Sequence, residues 1–102
     1  MSALDKLFET SGKKLIGYLP AGYPSVANAK EVISAMVDGG VDAIEVGFPY
    51  SDPVMDGPTI QAAADKSLAN GTSAKDVIET LEHAAKCAPS VIMTYWNPIE
   101  RY

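Results

Sequence analysis

An α/β fold built on parallel strands is what this sequence predicts, and three observations predict it. Short apolar runs alternate with amphipathic stretches of helix length. Each apolar run gives way to a loop or stop containing Pro or Gly. Successive strands are separated by enough chain for a crossover helix, and strands alternating with helices pair in parallel through right-handed crossovers.

Taken in order, Ala3 to Thr10 predicts a short leading helix. Leu15 to Leu19 is an apolar run that ends in Pro20, Gly22 and Pro24, the pattern of a short buried strand followed by a loop. Ser25 can then cap a helix whose apolar positions Ala29, Val32, Ile33, Met36 and Val37 recur at helical spacing. Gly39-Gly40 supply its left-handed stop. Val41 to Val46 predicts a second strand, apolar in both alternation phases, as expected where helices cover one face and other side chains the second.

Pro58 can occupy the first turn of the next helix, which runs to a stop at Gly71. Ser73 and Asp76 form a capping-box pattern with Asp in place of the usual Glu or Gln. Val77, Ile78, Leu81, Ala84 and Ala85 make the apolar stripe behind it. After Pro89, "SVIMTYWNP" predicts a third strand running into a Pro-containing loop. The chain reaches Tyr102 where a helix would begin, so it reads as the opening segment of something larger, with strand edges left to cover.

Composition narrows the function classes. A length of 102 residues with 47% hydrophobic and 21% charged residues fits one globular domain. The net charge of −5, with eight scattered basic residues, argues against a nucleic-acid backbone or an anionic membrane as partner. No signal-type or membrane-spanning apolar run occurs, which predicts a cytoplasmic protein. Cys87 has no disulfide partner and reads as a small core-side residue near a helix end, without a metal-ligand spacing to His or another Cys. His83 reads as an isolated, solvated residue on the polar side of its helix.

One residue breaks the strand pattern. Glu45 lies between Ile44 and Val46, near the end of the second strand, where sites of parallel α/β folds collect. It is either a structural carboxylate satisfied by a partner elsewhere or a group whose apolar surroundings suit it to acid–base work. The loop from Phe48 to Gly57 is longer than the usual connection of about 2–6 residues and carries Asp52 and Asp56. Asp52 before Pro53 is ordinary turn chemistry. A calcium loop is excluded, because its third and twelfth places would be Val54 and Ala63. No phosphate-binding or dinucleotide glycine motif is present, and no metal is predicted.

The segments "LPAGYP", "DAIEVGFPYSDPVMDGPTIQ" and "MTYWNP", in this order and spacing, resemble the N-terminal part of the tryptophan synthase alpha subunit family. "AGYP" and "TYWNP" differ from other versions of these motifs, while both carboxylates stand in place. The resemblance implies a (β/α)8 TIM barrel, which typically needs about 250 residues. Residues 1–102 would be the N-terminal part of that single domain, with its first three strands and intervening helices. Ile44, Val46, Ile92 and Tyr95 are expected to face the barrel interior.

The implied activity is cleavage of indole-3-glycerol phosphate to indole and glyceraldehyde 3-phosphate, with no cofactor in this subunit. The implied partner is a beta subunit carrying pyridoxal phosphate, in an alpha2beta2 complex. By the same resemblance Glu45 matches the acid–base residue and Asp56 the carboxylate that faces the indole N–H. Tyr18 and Met93 match pocket-lining positions, though each also fits plain core. Ser51, Asp52 and Pro53 match the contact with the beta subunit, and the phosphate-binding segments lie outside this chain. Two other readings remain: a non-catalytic, self-associating partial barrel, and a different barrel enzyme acting on a phosphorylated ligand. The bare chain is expected to be inactive and either to self-associate or to aggregate.

Overall fold

The structure, a computed structural model, describes residues 3–10, 12–49 and 57–94. The elements are α1 (Ala3–Glu9), β1 (Ile16–Pro20), α2 (Val26–Asp38), β2 (Ala43–Gly47), α3 (Pro58–Ala69), α4 (Ala74–Cys87) and β3 (Ser90–Met93). The strands form one parallel sheet in the order β1-β2-β3. Element types and order match the sequence expectations, with strand ends shifted by one or two residues.

Local signals set most of the helix boundaries. The Ser25 hydroxyl accepts the Asn28 N–H at 3.1 Å, and Gly40, at φ +112°, supplies the left-handed stop after α2. Pro58 opens α3 directly after Gly57. At α4 the capping box is complete: the Asp76 N–H donates to the Ser73 hydroxyl at 3.2 Å, and the Ser73 N–H donates to the Asp76 carboxylate at 2.9 Å.

That box gives a measurable stability contribution. The Ser73 backbone N–H, and then its hydroxyl, hold the Asp76 carboxyl below its ordinary value of 3.8. A depressed folded-state value means that the contribution is present above the ordinary value and is lost as pH falls through the lowered one. Ser73→Ala is expected to cost about 1 kcal/mol in denaturant unfolding at neutral pH. The gap between parent and variant should shrink below about pH 4; because the backbone N–H bond is kept in the variant, a gap independent of pH would contradict only the share that the Ser73 hydroxyl gives to the Asp76 carboxylate.

The sheet has two different faces. Leu19, Ile44 and Val46 share a buried cluster with Ala29 and Ile33 of α2 and with Val77 and Ala84 of α4, and Ile92 packs against it. Ile44, Val46 and Ile92 therefore face the helices, which corrects the expectation that they face the barrel interior; Tyr95 lies outside the described residues. The reason is the period of two: β2 is apolar in both phases, and its pairing with β1 and β3 puts Glu45, with Tyr18 and Val91 as its register partners, on the other face. Asp42, just before β2, also has a definite task, since its carboxylate accepts the Leu15 N–H at 2.8 Å while its own N–H donates to Leu15 O.

Helix α3 closes the carboxyl end of β1. The Ser67 hydroxyl, fully buried, donates to Ala21 O and can accept from the Thr72 hydroxyl at 2.9 Å, and Asn70 Nδ2 donates to Pro24 O at 2.6 Å. The loop after β1 is thereby tied to the far end of α3. Among the described residues no helix is long and apolar enough to cross a membrane.

Candidate active site

The candidate site lies on the face of the sheet that α2 and α4 leave open, toward the carboxyl ends of the strands. Tyr18 of β1 is the register partner of Glu45 in β2, and Gly47 is the register partner of Met93 in β3. Alternation then places Tyr18, Glu45 and Met93 on one surface. With Ile60 from the first turn of α3, these three line a recess of ≈ 310 Å³.

Glu45 is half-buried rather than enclosed, and it makes no hydrogen bond or ion pair to another described residue. Its neighbours in the recess are a phenol ring, a thioether and a branched aliphatic chain. Such a surrounding leaves the carboxylate available to an entering molecule, with flat apolar walls beside it.

Backbone bonds hold the geometry beyond the strand ends. The Ala21 N–H donates to Gly47 O at 2.9 Å and the Phe48 N–H to Met93 O at 2.8 Å, so the ladder continues into the loops. Gly47 is required by close approach: a Cβ there would collide with the hydroxyl end of Tyr18. The Tyr18 ring thus leans over Gly47, toward the carboxyl end of the sheet.

A larger recess of ≈ 700 Å³ adjoins the first and shares Tyr18 and Ile60 with it. It runs between the loop after β1, at Tyr23, and α3, where Lys66 borders it. The smaller recess is the chemical one, because it alone of these two holds a carboxylate. The larger one provides room beside it.

The structure therefore brings together Tyr18, Glu45 and Met93, three residues named from sequence. Asp56 and the Ser51, Asp52 and Pro53 segment lie outside the described residues. Ile60 and Gly47 were missed as site residues. For Gly47 a signal existed, since glycine inside an apolar strand marks a bulge or a close approach. Ile60 had none beyond its place in the first turns of a helix. Among the described residues, no three His, Cys, Asp or Glu side chains converge in a way that could hold a metal ion.

Comparison with known proteins bears on the fold and the family. Residues 4–102 match the family model described as tryptophan synthase alpha chain. The tryptophan synthase alpha chain of Thermobifida fusca is 58% identical over 89 residues, which is 86% of this chain and 33% of the relative. The chain thus spans about a third of the length of that relative. A tryptophan synthase structure from M. tuberculosis in an aminoacrylate-bound form superposes with a TM-score of 0.93 at 43% identity, covering 100% of this chain and 44% of that one. A tryptophan synthase alpha subunit from Legionella pneumophila gives a TM-score of 0.91 at 34% identity, covering 100% of this chain and 42% of that one.

Proposed function

Because the chain belongs to the tryptophan synthase alpha chain family, we propose that its residues supply the acid–base side of indole-3-glycerol phosphate cleavage, a carbon–carbon lyase step of tryptophan biosynthesis. Its three strands and their helices are part of a (β/α)8 barrel. Residues 1–102 would be the N-terminal part of that one domain, and turnover would belong to a polypeptide of the relatives' full length.

The observation that carries this reading is the position of Glu45, an unpaired carboxylate among the described residues, beside Tyr18, Ile60 and Met93. The reaction is a retro-aldol cleavage. The indole carbon that leaves must gain a proton, and the neighbouring side-chain hydroxyl must lose one as it becomes the aldehyde. One carboxyl group within reach of both can deliver the first and collect the second. The apolar walls suit the indole ring.

Protonating the ring carbon develops positive charge toward the indole nitrogen. Asp56 would meet that N–H and offset the charge. No cofactor is needed for these proton transfers; pyridoxal phosphate would belong to a beta subunit, which the Ser51, Asp52 and Pro53 segment would contact. The substrate phosphate would be held by segments beyond this chain, in keeping with the usual barrel phosphate site after the last strands.

The experiment is an indole-release assay on a full-length polypeptide carrying these residues, with Asp56→Asn beside the parent. The amide can still accept the N–H hydrogen bond but cannot offset the developing charge. The expected loss is therefore mainly in kcat, with a smaller effect on binding of an unreactive substrate analogue. An inactive parent would refute the function, and an equal loss in analogue binding would refute the role given to Asp56.

A further inference from the structure

Between α2 and α4, Ser34 Oγ meets His83 Nε2 at 2.9 Å and Cys87 Sγ at 3.8 Å. His83 is accordingly not isolated, which corrects its sequence reading, and the three groups satisfy one another without a ligand. The open face of the sheet holds a different relation, between a residue without a side chain and the ring that takes up its space.

Gly47 lies two residues after Glu45 in β2, so a side chain there would stand on the same open face. Its φ lies outside the left-handed region, and the backbone would therefore accept alanine at this position. What forbids a side chain is Tyr18. The three atoms nearest to an added Cβ all belong to that residue: the hydroxyl oxygen, Cζ at 2.7 Å and Cε2 at 3.1 Å. Gly47 is buried, although Met93, its register partner, is exposed. The Tyr18 side chain thus starts beside Glu45 and reaches along β2 to cover Gly47. Tyr18 and Ile60 also line both recesses, which makes them the wall between the two.

We propose that Gly47 is a positioning residue that decides which aromatic ring Glu45 receives. Having no side chain, it lets the Tyr18 ring lie across the end of β2, where with Ile60 it divides the Glu45 recess from the larger one. A methyl group at position 47 forces the ring off β2, and the two recesses run together. A planar ring bound beside Glu45 then loses its flat support, and its reacting carbon is no longer held against the carboxylate. The inference rests on the proposed reaction only for the identity of that ring, the indole of the substrate.

The test is a double-substitution cycle in a full-length polypeptide carrying these residues, with Gly47→Ala, Tyr18→Leu and both together. Leu stays apolar but lacks the ring that reaches Gly47. Denaturant unfolding reads the contact whatever the reaction is: Gly47→Ala is expected to lower the midpoint beside Tyr18 and to leave it nearly unchanged beside Leu. Binding of indole and of a ring-methylated indole reads the wall. The parent is expected to favour indole by about 10–200-fold, and Gly47→Ala and Tyr18→Leu are each expected to lose most of that preference. Gly47→Ala should also lower kcat/KM for indole release by about 10²-fold. Equal midpoint losses from Gly47→Ala beside Tyr18 and beside Leu would overturn the proposal, as would a parent without ring preference or a folded Gly47→Ala variant that keeps it. If Gly47→Ala alone does not fold, recovery in the double variant supports the proposal and failure of both overturns it. An inactive parent that shows the midpoint coupling and the ring preference counts against the reaction and leaves the role of Gly47 standing.

Discussion

Replacing Glu45 by Gln in a full-length polypeptide that carries these residues is expected to lower indole release from indole-3-glycerol phosphate by at least about 10²–10⁴-fold. The substitution preserves the side chain's length and shape, so the recess between Tyr18, Ile60 and Met93 stays the same size. What is lost is exchange of a proton, because an amide neither delivers one to the ring carbon nor takes one from the hydroxyl. Substrate binding should change little, and the deficit should sit in kcat. Turnover near the parent rate would make Glu45 a structural carboxylate and leave the reaction without its proton carrier.

The second large effect is on stability. Ile44 is fully buried against α2 and α4, and Ile44→Ala is expected to cost about 2–5 kcal/mol, against about 0.5–1.5 kcal/mol for Ile44→Val. The spread depends on how far the helices settle into the vacated space. Because Ile44 and Glu45 are adjacent but face opposite ways, the active fraction of Ile44→Ala should bind substrate as the parent does. Denaturant unfolding together with KM, both on the full-length polypeptide carrying Ile44→Ala, separates the alternatives. A changed KM with unchanged stability would mean that Ile44 lines the site.

Those two residues also show what was legible in the sequence. Helix ends were legible, because a Ser73 hydroxyl or a Gly40 at positive φ acts within a few residues of itself. The open and covered faces were not. In "VDAIEV" both phases are apolar, so the alternation has no contrast, and the facing of Ile44 depends on which side α2 and α4 pack. The same limit applies to His83: its own helix presents it as polar, and only the approach of Ser34 from α2 turns it into part of a cluster. Glu45 was legible as an exception because one carboxylate in an apolar strand has few reasons to be there. Ile60 was not, since it reaches the recess only through the way α3 lies across the end of β1.

The bonds from Ser67 to Ala21 O and from Asn70 to Pro24 O bear on binding entropy. They fix the backbone on both sides of the larger recess, at the loop that carries Tyr23 and at the helix that carries Lys66, to one another. A molecule entering there meets walls whose relative position was settled when the chain folded. Ordering such a surface at the moment of association costs about 0.5–1.5 kcal/mol for each immobilised side chain. Here the backbone share of that loss has already been incurred, so affinity gained from contacts on this side is reduced by little more than the side chains' own freedom.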